Sequence, residues 1–257
     1  MESAITRLLS LLKSSSKSKT SKSSLKSKSS LKSKSSTLKL SLPSSSSIQR
    51  LIISNLSPTY LENSSKPSQH LSQPKQKLII LDINGTLIYR DKNFGSKYNP
   101  VGKIHLRPNL NDFLDFLFSN EDYFKIMIWS TARPMTVYYL VDKVFDHHKT
   151  KLLDIWTRDK LELPKVEYFD KSRNIVKNLD KIWQSEETWN QMNTILIDDS
   201  ILKARLQPFN AIHPISFRKK FQRENDDELL KVMDYLNKLK YQSNVSFFIR
   251  HSPFNIY

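Results

Sequence analysis

The sequence predicts an α/β fold: a parallel sheet flanked by helices and preceded by a disordered basic tail. Three observations carry this. Composition breaks near Tyr60, where a Ser- and Lys-dominated stretch gives way to mixed sequence. Beyond Pro74, apolar runs of strand length alternate with helix-like stretches, the pattern of a parallel sheet with crossover connections. Three of these runs are apolar almost throughout, and each ends in hydroxyl or carboxyl side chains. Strands buried on both faces read this way.

Residues 1–60 carry 11 Lys and Arg against one acid, Glu2, so +10 of the chain's net +16 lies there and +6 lies beyond. The same stretch holds 22 Ser. Such a composition cannot bury enough apolar surface to offset chain entropy. Residues 1–76 are therefore assigned to a low-complexity tail and 77–257 to one folded domain of roughly 180 residues, large enough for its own core. Within the tail, SSLKSK at Ser23–Lys28 is repeated at Ser29–Lys34. Ile5, Leu8, Leu9 and Leu12 fall at helical spacing with Arg7, Ser10 and Lys13 opposite, a start that fits a mitochondrial targeting peptide. The lysine runs also read as a nuclear address, and the whole as a solvated tail. Mitochondrial location is the expectation, with nuclear location the alternative.

Composition excludes several classes. The absence of Cys removes disulfides, thiolate zinc sites and a Cys nucleophile. No apolar run reaches the ~18 residues of a membrane-spanning helix, so no transmembrane anchor is expected. The apolar start is broken by Thr6, Arg7 and Ser10, which argues against a secretory signal.

Taken in order, Leu78-Ile79-Ile80-Leu81 is a strand leading into Asp82-Ile83-Asn84-Gly85-Thr86. All three glycines, Gly85, Gly95 and Gly102, follow within a short stretch and mark turns, so a β-hairpin flap is expected there. Tyr89, Phe94 and Tyr98 would line its entrance side. His105-Leu106-Arg107-Pro108 is followed by Phe113 and Leu114. The second strand, Ile126-Met127-Ile128-Trp129, leads into Ser130-Thr131-Ala132-Arg133, and a helix runs from about Met135 to His147 and His148, which suit its negative C-terminal end. The third, Ile195-Leu196-Ile197, leads into Asp198-Asp199-Ser200. Asp226 to Lys240 is an amphipathic helix with Leu229, Leu230, Met233, Leu236 and Leu239 inward, and Val245 to Ile249 reads as a short strand. Trp129, Trp156, Trp183 and Trp189 are assigned to the core.

Taken singly, each polar strand end has a plainer reading. Asn84-Gly85 is a strong type I′ hairpin signal, and Asp198, Ser200 and Ser130 suit helix caps. Together they describe a phosphate and metal site. An Asp on a tight loop can attack phosphorus and split hydrolysis into two steps. Paired carboxylates suit Mg²⁺. Backbone N–H groups, a hydroxyl and a Lys would hold the phosphoryl oxygens and neutralise charge.

At these residues the chain resembles the haloacid dehalogenase superfamily, and within it the branch of RNA polymerase C-terminal-domain phosphatases and nuclear LIM interactor-interacting factor domains. The short spacing between the first two motifs and the Arg107-Pro108 segment carry the branch resemblance. It implies a Rossmann-like parallel sheet with no large cap domain over roughly Lys77 to Phe217. It also implies Asp82 as nucleophile, Ser130 as phosphate-binding hydroxyl, and Asp198 and Asp199 as Mg²⁺ carboxylates with Asp82 and the backbone carbonyl of Asn84. Gly85, Thr86 and Thr131 join the phosphate-binding loops. Lys177, in Val176-Lys177-Asn178-Leu179, matches the third motif, with Lys171 as runner-up.

One position departs from the branch pattern. The family's general acid and base stands two residues after the nucleophile, where this chain has Asn84. An amide cannot give up a proton, and losing a positioned general acid costs ~10²–10⁴ in rate. The expected function is a slowed Mg²⁺-dependent phosphomonoesterase acting through an aspartyl-phosphate on phosphoserine or phosphothreonine proteins. The alternative is a catalytically weak binding module related to the mitochondrial inner-membrane import receptor. Specific nucleic-acid binding is not expected, since charge alone gives nonspecific, salt-sensitive affinity.

Overall fold

Five parallel strands make the sheet: β1 (Lys77–Leu81), β4 (Phe124–Trp129), β5 (Asp154–Trp156), β6 (Thr194–Ile197) and β7 (Ala211–Ile212), in the order β5-β4-β1-β6-β7. The computed structural model describes residues 56–257 apart from 92, 94, 96–100, 165–167, 169–174, 219–224 and 255–257. The expectations for the amphipathic start, the repeats, Phe94 and Tyr98 lie outside the described residues.

The three apolar runs are the three central strands, and alternation explains why they lack polar positions. Ile79 and Leu81 of β1, Ile126 and Ile128 of β4, and Ile195 and Ile197 of β6 face one core. Leu78, Ile80, Met127, Trp129 and Leu196 face the other. With successive side chains pointing to opposite faces and both faces covered, every position of the three apolar runs is buried. The first core is closed by α2 (Leu110–Ser119), α3 (Pro134–Val144), α5 (Glu228–Leu239) and α6 (Val245–His251); the second includes Ile182 of α4 (Asp180–Ser185), with Leu179 and Trp189. Trp129 and Trp189 are buried, whereas Trp156 and Trp183 pack from the rim.

The hairpin flap is present. β2 (Ile88–Asp91) pairs antiparallel with β3 (Lys103–Leu106), with Tyr89 opposite His105 and stacked on its ring at 5.8 Å. Gly102, at φ +80°, delivers the chain into β3 in a conformation that favours glycine. The type I′ reading of Asn84-Gly85 is not realised, because β1 pairs with β4 and β6 rather than with β2.

Four expectations are corrected. Val245–His251 is a helix, not a strand: Asn244 caps it by accepting the Phe247 N–H at 3.1 Å, and Val245 and Ile249, four apart, are buried together. In α5, Val232 and Tyr235 point inward while Leu230 is 40% exposed. Helix α3 ends at Val144, and His148 instead stacks on Phe118 and meets Asp115 Oδ1 at 3.1 Å. Finally, the boundary at residue 76 moves to Leu56. Helix α1 (Pro58–Asn63), capped by Ser57, buries Tyr60 flat against Phe209, whose N–H donates to the Tyr60 hydroxyl at 2.8 Å. Gln191 donates to the Tyr60 carbonyl, and Asn244 to the carbonyls of Asn63 and Lys66. Composition concealed this strap because one aromatic ring anchors a polar segment.

Tyr60→Ala should therefore lower stability by about 3 kcal/mol in urea unfolding, a loss that a solvated tail residue would not produce. A second expectation concerns Lys77, buried at the start of β1. Burial, with Lys75 adding repulsion, lowers its ammonium from the usual 10.5 to about 8. Unfolding then takes up a proton between these values, so stability should rise as pH climbs through that window. Lys77→Met should raise stability at pH 7 and flatten the rise, read from urea midpoints at neutral and alkaline pH.

Candidate active site

Strand order brings the polar strand ends together. β1 lies between β4 and β6, with Leu81 in register with Ile128 and Ile197, so Asp82, Ser130 and Asp198 emerge side by side at the carboxyl edge. Their backbones stay tied to the sheet: Asp82 N–H donates to Ile197 O, Ser130 N–H to Trp156 O and Asp198 N–H to Ile212 O. This is the edge where open α/β sheets bind ligands.

The loop after β1 is built on two buried apolar residues, Ile83 and Leu87. The N–H groups of Leu87 and Ile88 both donate to Ile83 O, and Gly85 N–H donates to Ile88 O. Gly85 sits at φ +96°, and a Cβ there would lie 2.5 Å from Asp199 Oδ2. Only glycine allows the loop and Asp199 to approach so closely. Thr86 is fully buried, and its hydroxyl oxygen accepts the Asp199 N–H at 3.0 Å, bracing one loop against the other. Asn84 is exposed beside them.

Lys177 completes the cluster from the segment before α4. Its Nζ lies 2.8 Å from Asp82 Oδ1 and 2.6 Å from Asp198 Oδ2, with all three side chains buried. Lys171 lies outside the described residues. Ser130 Oγ accepts the Ala132 N–H at 3.3 Å, and Thr131 offers its carbonyl to Arg158 Nη1 at 3.1 Å. Neither Ser130 nor Ser200 caps a helix by its side chain; α3 begins at Pro134 with no side-chain cap. Asp198 Oδ1 does accept the Ser200 N–H at 2.8 Å, so that carboxylate holds its own turn as well as a lysine.

Sequence reasoning missed Lys203. It reaches back from a short 3₁₀ turn, Ile201–Ala204, to Asp198 Oδ1 at 2.9 Å and Asp82 Oδ2 at 3.3 Å. Its only signal was position, one turn beyond the paired aspartates, in a chain where lysine is common.

A family model for NLI interacting factor-like phosphatases matches residues 77–246. The chain belongs to this family.

Among relatives, an FCP1 homology domain-containing protein from Schizosaccharomyces pombe is 34% identical over 216 residues, covering 77% of this chain and 84% of its own length. The ubiquitin-like domain-containing CTD phosphatase 1 of Drosophila melanogaster is 29% identical over 185 residues, covering 66% of this chain. The match spans 52% of the fly protein's length. The structure of Fcp1, an RNA polymerase II CTD phosphatase, is similar at 13% identity and a TM-score of 0.41, over 62% of this chain and 49% of that one.

The carboxylates of this phosphatase-family domain differ electrostatically. Burial opposes charge on Asp198, but Lys177 and Lys203 outweigh it and hold the carboxyl below its usual range. Asp199 goes the other way, pushed up to about 6 by burial and by the neighbouring charges of Asp198 and Asp82. Lys203, although burial disfavours its charge, is held above the usual lysine range by Asp198, Asp82 and Asp199. One oxygen from each of Asp82, Asp198 and Asp199 falls within 4.8 Å of the others, an all-oxygen set that could hold a hard cation.

Gly85→Ala should displace Asp199 and strain the loop. Unfolding in urea should show a loss of about 2 kcal/mol, more than a Gly→Ala change at an unstrained position.

Proposed function

We propose that this domain hydrolyses phosphomonoesters on phosphorylated proteins through a covalent aspartyl-phosphate on Asp82. The observation that carries this reading is the convergence of Asp82, Ser130, Lys177 and Asp198 from four segments on one sheet edge. The fly relative's name, a CTD phosphatase, supports a phosphorylated protein as substrate class.

A carboxylate oxygen of Asp82 attacks phosphorus, and the bond from phosphorus to the leaving oxygen breaks, the departing alkoxide taking its proton from solvent water. Ser130 and the N–H groups of the loop after β1 and of Thr131 hold the phosphoryl oxygens, while Lys177 offsets their growing charge. Water then attacks phosphorus, the bond from Asp82 to phosphorus breaks, and inorganic phosphate leaves with Asp82 restored as a carboxylate. Thr86 acts from below, keeping the loop and Asp199 in place. Asp82, Asp198 and Asp199, with the Asn84 carbonyl, would hold Mg²⁺, which suits hard oxygen donors. When bound, the ion supplies charge neutralisation at the phosphate oxygens.

Asn84 limits the rate. It stands exposed two residues after Asp82, where the family pattern has its general acid, and an amide has no proton to give. The same residue favours a second reading, in which the pocket binds a phosphorylated protein and releases it unchanged.

An aryl-phosphate assay with Mg²⁺ separates the two. Wild type should turn over slowly, Asp82→Asn should abolish turnover, and Asn84→Asp should raise it by about 10² or more. An inert wild type with an active Asn84→Asp variant favours the binding reading. Activity untouched by Asp82→Asn would remove Asp82 as nucleophile.

A further inference from the structure

Two ammonium groups, not one, meet the carboxylates of the site, and they are held differently. Lys177 has a side chain with no solvent exposure and contacts of 2.6 and 2.8 Å. Lys203 is 18% exposed and its contacts are looser, 2.9 Å to Asp198 Oδ1 and 3.3 Å to Asp82 Oδ2. The Lys177 N–H donates to the Lys203 carbonyl at 2.8 Å, so both backbones are anchored to one another while only the Lys203 side chain has a way out.

We propose that Lys203 is an internal counter-cation: it bridges Asp82 and Asp198 while no divalent ion is bound, withdraws to solvent when one arrives, and so sets the affinity of the site for that ion. This rests on the metal reading above. Asp82, Asp198 and Asp199 carry three negative charges and the two lysines two positive, so the cluster is left with one net negative charge for an incoming Mg²⁺. With Lys203 removed, that net charge doubles. An ordinary solvated lysine would not reach two buried carboxylates. Lys177 is ill suited to the same part, because its burial leaves it no exit.

Calorimetric titration of the full chain with MgCl₂ tests this on wild type, Lys203→Met and Lys203→Arg. Lys203→Met should bind Mg²⁺ about tenfold tighter or more, and Lys203→Arg, which keeps the charge, should stay within about threefold of wild type. Equal affinity of wild type and Lys203→Met would overturn the counter-cation and leave the metal reading standing. Failure of all three proteins to take up Mg²⁺ at millimolar concentration would overturn both. Thermal unfolding gives an independent readout that survives poor folding of the Met variant. Without Mg²⁺ its Tm should fall below wild type, and Mg²⁺ should raise it by more than it raises wild type; an equal rise counts against the proposal.

Discussion

The ammonium of Lys177, fully removed from solvent, is held by Asp82 and Asp198, carboxylates that are themselves buried at the ends of neighbouring strands. Taking each charge out of water costs several kcal/mol, offset only by close partners. Lys177 therefore depends on both carboxylates, and deleting it leaves two buried carboxylates with only Lys203, among the described residues, close enough to offset them. The same contacts join β1, β6 and the segment before α4, so the electrostatics of the site and the cohesion of this sheet edge are one property.

A second set of contacts holds the loop after β1 from outside. Arg107 is buried, pairs with Asp226 at 2.9 Å, and donates to the carbonyls of Thr86 and Ile215. Its guanidinium also lies over the Phe217 ring at 5.5 Å, while the Phe217 N–H donates to Gly85 O at 2.7 Å. The Arg-Pro segment thus ties the first loop to residues 215–217 and to the start of α5. A loop held this firmly has little to reorganise on meeting a ligand.

The central strands were legible because burial on both faces leaves an unbroken apolar signal, and their polar ends follow from the chain turning at the sheet edge. Asp82, Ser130, Lys177 and Asp198 were legible as one group because motif order survives in one dimension. Lys203 was not, since nothing local separates a lysine that folds back onto Asp198 from one that points to water. Val245–Ile249 misled because five residues are too few to tell a buried helical turn from a strand; the capping by Asn244 and the packing of Val245 with Ile249 decide it. The strap at residues 56–76 was hidden because its order comes from partners far along the chain.

Those partners have a consequence for how the molecule is made. The ring and hydrogen-bonding groups that receive Tyr60 and Asn63 belong to Phe209, Gln191 and Asn244, between 131 and 181 residues downstream. A segment that leaves the ribosome early must wait, undocked, until nearly all of the domain has been synthesised, and closing so long a loop comes after the local contacts. The strap is thus a late fastening: the chain that emerges first among the described residues is among the last to find its place.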